Sequence, residues 1–193
     1  MAWNEPNGNK DPWGRKPKSN SELDNLRLRI DDIDFELSKL ITERQSLASK
    51  IMKAKKGDFP FDPQREENLI KKLVSFGLDK FLVEKVWRQI ISLNLSMQKK
   101  LKIGVAGNND EIKSAYLGHF GNYFETTNYI SFVSLLASLE KQDIDIGFID
   151  QESVKNIEKH SDIKVNFEIL ANVPIFKTPD QKNYNIIKLK NTN

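Results

Sequence analysis

Residues 26–55 read LRLRIDDIDFELSKLITERQSLASKIMKAK. Apolar side chains recur at Leu26, Ile30, Ile33, Leu37, Leu40, Leu47 and Ile51, in the alternating steps of four and three that mark a heptad seam on one helix face. Ser21 supplies an N-cap, with Asp24 in the first turn. Gly57 and Pro60 stop the helix. A helix over residues 21–56 is roughly 50 Å long at about 1.5 Å per residue, against the roughly 30 Å of a small domain. The seam is therefore expected to continue against a second copy of the chain.

The same heptad that turns Leu37, Leu40, Leu47 and Ile51 inward also turns Arg44 inward. A guanidinium in an apolar seam is costly unless an anion meets it. Lys55 follows eleven residues later, about 20° past three full turns and about 16 Å along the axis. Arg44 and Lys55 therefore share a face and can close on one small anion. The alternative is that Arg44 pairs with a buried carboxylate while Lys55 runs along the surface with its ammonium in water. Arg27 lies about 25 Å back along the helix, too far to share that anion, so as a ligand it serves a second site across a dimer. As a structural residue it is a solvated charge.

Two further helices follow. One opens at Asp62-Pro63, carries Leu69, Ile70, Leu73 and Val74, and stops near Gly77. Asp62, Arg65 and Glu66 share the face of its first turn, as a binding group or as a cap with an Arg/Glu pair. The other runs from about residue 78 to 100 with Leu82, Val86, Trp87, Ile90, Ile91 and Met97 as its stripe. On it, Asn94 and Gln98 lie one turn apart on the core-facing side, where amides need partners, either another helix or a ligand. Arg44, Lys55, Arg65, Arg27, the two amides and the two carboxylates form a constellation without a nucleophile. It suits a small polycarboxylate, with catalysis by restriction and electrostatic stabilisation.

Composition narrows the chemistry. The chain has 193 residues, and 30 basic against 27 acidic side chains leave a charge of +3, which does not call for nucleic acid. Cysteine is absent, and with only two histidines, His119 and His160, a His-based metal site or a Ser–His triad is poorly supplied. No apolar run reaches a membrane span, and no signal-peptide core opens the chain, so a soluble cytoplasmic protein is expected. Of residues 1–20, thirteen are Asn, Gly, Pro, Lys or Ser, which predicts a disordered polar tail with Trp3 and Trp13 as its large apolar groups.

Beyond residue 100 the period changes. Residues 102–106 and 144–149 read as short strands and 129–141 as a helix. Runs at 164–170, 173–177 and 184–190 read as further strands. Strands alternating with helix predict a small α/β domain with some parallel pairing. Gly104, Gly107 and Asn108 read as an ordinary βα turn or as an anion-binding one. The fold expected is α plus α/β: an all-α unit over 21–100, then an α/β domain over 101–193.

The motifs Leu26-Arg27, Ile30-Asp31-Asp32-Ile33-Asp34, Glu43-Arg44, Lys53-Ala54-Lys55, Asp62-Pro63-Gln64-Arg65-Glu66 and Trp87-Arg88-Gln89-Ile90-Ile91 with Gln98 resemble the all-helical (AroQ-type) chorismate mutases over residues 23–98. The resemblance implies an intertwined homodimer of three-helix protomers that rearranges chorismate to prephenate, with no metal and no cofactor. It implies that Arg44 binds one substrate carboxylate and Arg27 reaches the other from the partner subunit. Lys55 and Gln98 would donate to the ether oxygen. Glu66 and the backbone near Asp62 would hold the ring hydroxyl, and Arg65 would add positive charge. Asn94 stands where the family more often has Ser, and it still donates. A helical lyase that removes pyruvate from isochorismate and a non-catalytic regulatory dimer are the alternatives.

Two weaker resemblances flank that core. Ala115-Tyr116-Leu117-Gly118, His119-Phe120-Gly121 and residues 129–150 resemble the first lobe of a prephenate dehydratase. The Thr-Arg-Phe triplet of dehydratase catalysis is absent, which implies a degenerate domain without that activity. Residues 1–14 resemble the polar start of a bacterial membrane-protease regulator of the stomatin/prohibitin group.

Overall fold

A computed structural model describes residues 21–54, 59–107, 109–159 and 166–190. The predicted disordered tail lies outside them. The chain divides into two compact units, Met1–Leu47 and Ala48–Asn193, the division falling within the first helix.

That helix, α1, runs Glu22–Ala54. Ser21 caps it: the Asp24 amide donates to Ser21 Oγ at 3.1 Å, and the hydroxyl donates back to the Asp24 carboxylate at 2.7 Å. The seam residues Leu26, Ile30, Ile33, Leu37 and Leu40 are all exposed in the single chain, between 46 and 59 %.

In the second unit, α2 (Pro63–Ser75) starts where Asp62 accepts from the Arg65 amide at 3.1 Å, with proline at its first position. Gly77, at φ +94°, turns the chain after it. Asp79 then caps α3 (Lys80–Gln98), accepting from the Phe81 and Leu82 amides. Ile70, Val83 and Ile91 form the buried seam between the two helices, with Ile175 and Phe176 packed against it.

The rest is a five-stranded sheet. β1 is Lys102–Ala106, α4 Asp110–Phe120, β2 Glu125–Tyr129, α5 Phe132–Glu140, β3 Ile146–Asp150, α6 Gln151–Lys159, β4 Phe167–Val173 and β5 Tyr184–Leu189. The strand order is β2-β1-β3-β5-β4; β1 is parallel to both neighbours, and β5 is antiparallel to both of its own. Alternation sorts the strands between two cores. Ile103, Val105, Ile146, Phe148 and Ile186 face α4 with Phe120 and Tyr116. Ala106, Ile149 and Ile187 face α5 with Leu135, Leu136 and Leu139. Phe61, just before α2, and Leu95 of α3 belong to the α4-side core, so the α2–α3 hairpin and the sheet share one interior.

Several elements differ from expectation: the strand read at 164–170 runs Phe167–Val173, and α4, β2 and α6 have no counterpart in the sequence reading. The run at 173–177 is no strand: β4 ends at Val173, because Pro174 has no amide to donate to a ladder. The strand read at 144–149 begins at Ile146. The helix read from 129 starts at Phe132, because Tyr129 ends β2 and Ser131 caps α5. Gly104 lies inside β1 rather than in the turn, opposite Gly147 of β3. A Cβ on Gly104 would run into Ile144 Cδ1, and one on Gly147 would stand 2.6 Å from Leu135 Cδ2. The glycine pair lets α5 close onto the sheet. Gly147→Val is expected to cost about 1–3 kcal/mol by overpacking, read as a lower denaturant midpoint with unchanged slope. Gly107, at φ +127°, makes the turn after β1, and Asn108 lies outside the described residues.

Candidate active site

The carboxylate of Glu66 is the best-defined element of the predicted constellation. It lies one turn into α2, 8 % exposed, and accepts from Arg88 Nη2 at 2.7 Å. Sequence proximity suggests Arg65 as the partner of Glu66, but Arg65 is exposed on the first turn and the fold supplies Arg88, 22 residues on. Burial pushes the Glu66 carboxyl above the usual carboxylate range, and the Arg88 guanidinium pulls against that rise. Arg88 is itself 2 % exposed. The sequence reading missed its role, although one rule would have found it. Glu84, Arg88, Ile91 and Leu95 follow the four-three-four spacing of a core stripe, and a charge in such a stripe needs a partner.

On the same helix Asn94 is 3 % exposed, and neither its Oδ1 nor its Nδ2 has a hydrogen-bond partner among the described residues. An inter-helix hydrogen bond, the structural alternative for this amide, is not made there. A buried amide with both ends unmatched costs a few kcal/mol unless something else meets it. Gln98, one turn on, is half-buried at the end of α3. Asp62 is exposed, its carboxylate engaged as the α2 cap. Phe61 and Leu95, the neighbours of Asp62 and Asn94, share one apolar core, which joins the start of α2 to the C-terminal end of α3.

Three predicted residues remain. Arg44 is half-buried on α1, in the first unit. Arg27, also in the first unit, is exposed, with its Nη1 3.7 Å from Asp24, a surface pair of small value. Lys55 lies outside the described residues.

A groove of about 570 Å³ lies between α3, α4 and the chain around β4 and β5. It takes in none of the eight predicted residues, but Arg88 and His119 line it. His119 is buried and held well below its usual pKa by burial first and by Arg88 second, so it is neutral at pH 7.

Among the described residues, no helix is long and apolar enough to cross a membrane, and no cluster of acidic or histidine side chains is arranged to hold a metal.

Residues 26–99 match the chorismate mutase type II family. The match encloses every residue of the predicted constellation, from Arg27 to Gln98. Residues 1–30 match a second family, described as a bacterial membrane protein N terminal, which overlaps the stretch read above as the start of a membrane-protease regulator. Three curated relatives carry the name bifunctional chorismate mutase/prephenate dehydratase. That of Pseudomonas aeruginosa is 28 % identical over 143 residues, covering 68 % of this chain and 39 % of the relative. That of Aquifex aeolicus is 28 % identical over 172 residues, covering 80 % and 47 %, and that of Stutzerimonas stutzeri is 28 % identical over 112 residues, covering 52 % and 31 %. The chain thus spans less than half the length of the curated relatives it matches. No solved structure matches it. The helical part therefore carries the match to the type II chorismate mutases, and a small mixed-sheet α/β region follows it.

Proposed function

We propose that the chain is a chorismate mutase that converts chorismate to prephenate as a homodimer in the cytoplasm. The observation that carries this reading is that a single type II match contains all eight residues of the constellation. The unmatched Asn94 amide supports it, since a polar ligand gives that group the partner that no described residue gives. The exposed apolar row on α1 supports the dimer, since a second copy covers it.

The rearrangement is unimolecular and needs no nucleophile. Arg44 and the partner subunit's Arg27 clamp the two carboxylates and fold the substrate towards its chair-like transition state. As the C–O bond breaks, negative charge gathers on the ether oxygen, where Lys55 and Gln98 donate. Those hydrogen bonds strengthen in the transition state, and that difference accelerates the step. Glu66 accepts from the ring hydroxyl, Asn94 donates to the substrate, and Arg65 adds positive potential. The α/β domain carries no dehydratase activity in this reading, since it lacks the Thr-Arg-Phe triplet.

The test is direct: purified protein is mixed with chorismate, loss of its absorbance is followed, and the product is identified. Prephenate is the expected product. A folded dimer that leaves chorismate unchanged but converts isochorismate would move the activity to pyruvate elimination. Binding of chorismate without turnover would make the protein a regulator. The shared site has its own test. Arg27→Ala and Lys55→Ala are each expected to be inactive, yet mixing them under subunit exchange should restore partial activity through heterodimers with one intact site. No recovery despite demonstrated exchange would refute a shared site.

A further inference from the structure

Arg88 carries more structure than an ion pair needs. It lies on a polar stripe of α3, Glu84, Arg88 and Ser92, set four residues apart and so on one face. Glu84 accepts from the Ile175 amide at 2.9 Å. Ser92 donates to the His119 carbonyl at 2.8 Å. Between those levels, Gln89 donates to the Leu117 and Gly118 carbonyls at 3.3 Å. The stripe is thus bolted to α4 and to the chain after β4, above and below Arg88. Its guanidinium, 2 % exposed, points one nitrogen at Glu66, while its Nε has no partner among the described residues.

We infer that Arg88 is a positioning residue for the mutase reaction: it fixes the Glu66 carboxylate in the orientation that accepts the ring hydroxyl. The inference rests on the proposed mutase reading, since the role of Glu66 comes from there. A carboxylate this buried has two ways to lose its function. Without a cation beside it, it takes up a proton and stops being a pure acceptor. Without a fixed donor, it rotates away from the hydroxyl. A planar guanidinium blocks both, since it supplies charge and a directed N–H. The other charged groups acting on Glu66 are Asp62 and Arg65, both on α2 and both exposed. Those acting from the far side of Arg88 are Glu84, which is half-buried, and the neutral His119.

The test uses the full chain carrying Arg88→Gln and, separately, Arg88→Lys. In Arg88→Gln, kcat for prephenate formation at neutral pH is expected to fall about 10²-fold, the cost of a small misplacement, while KM changes far less because the carboxylate clamps are intact. The acid limb of the pH profile should move to higher pH. The sign follows from the acceptor role: activity needs the carboxylate, which exists above its pKa, and loss of the cation raises that pKa. In Arg88→Lys the acid limb should stay near that of the wild type while kcat still falls, because an ammonium keeps the charge but not the fork. Wild-type kcat and pH profile in a folded Arg88→Gln would overturn the inference. If that variant does not fold, wild-type kcat in Arg88→Lys would overturn it instead. A carbon-13 titration of the Glu66 carboxyl, assigned against Glu66→Gln, reads the same dependence without turnover. An unshifted Glu66 titration in Arg88→Gln would sink the inference even where the mutase reading holds. A wild-type protein that forms no prephenate would sink the mutase reading and the positioning role with it, whatever the Glu66 titration shows.

Discussion

Arg44→Ala is expected to remove nearly all prephenate formation and to leave the fold and the dimer intact. Arg44 is half-buried on α1, inside the stretch that matches the type II family. In the proposed site its guanidinium holds a substrate carboxylate in a fork, so truncation leaves that carboxylate unmatched where water is excluded. Truncating one partner of a desolvated charge pair costs about 2–5 kcal/mol, or roughly 30- to 5,000-fold in kcat/KM. Folding should suffer less, because Arg44 is only half-buried and its truncation removes no apolar core side chain. Steady-state kinetics with circular dichroism and a mass measurement decide the matter. A variant with normal helix content and more than a tenth of wild-type kcat/KM would remove Arg44 from the site. Lys55→Ala makes a useful contrast: losing a donor to the ether oxygen should cost about 2.7–4 kcal/mol, felt mainly in kcat.

The three helices were legible because their signals are strong and redundant. Asp62-Pro63 is a cap followed by proline, and α2 begins there. Asp79 caps α3, and Gly77 takes the positive φ between the two helices. The α/β half was less legible, for physical reasons. β2 reads Glu-Thr-Thr-Asn-Tyr and lies almost wholly exposed at the sheet edge, so it has no apolar face to alternate. α6 offers the sequence only Val154 and Ile157 as aliphatic residues among nine, too few to set a period. α4 mixes Ser, Gly and His among its apolar positions and shows itself only through what it covers. The site divides in the same way. Residues on one helix face, such as Asp62, Arg65 and Glu66, can be grouped from spacing. The pairing of Glu66 with Arg88 depends on how two helices cross, which local sequence does not encode.

Phe120→Ala is expected to give the largest loss of stability of any single truncation in the second unit. Phe120 is fully buried at the end of α4. Its ring lies 5.6 Å from Tyr116, 5.7 Å from Phe124, 5.9 Å from Phe61 and 6.3 Å from Phe148. These neighbours come from the start of α2, from α4, from the loop after it and from β3. One side chain therefore joins the helical hairpin to the sheet. Truncation forfeits the buried apolar area and leaves a cavity whose walls belong to different elements and cannot all collapse inward. The expected cost is about 3–5 kcal/mol, a large share of the roughly 5–15 kcal/mol a domain has in total. In a chain of this length that lowers Tm by on the order of 10 °C. The effect should also reach the chemistry. Phe61 precedes the Asp62 cap, so a Phe61 that relaxes into the cavity tilts the first turn of α2 and Glu66 with it. At a temperature where Phe120→Ala is still folded, kcat should therefore fall while KM holds. Phe120→Leu, which fills much of the space, should recover most of both losses. A Phe120→Ala protein with wild-type Tm would show that this ring is not the joint between the two halves of the unit.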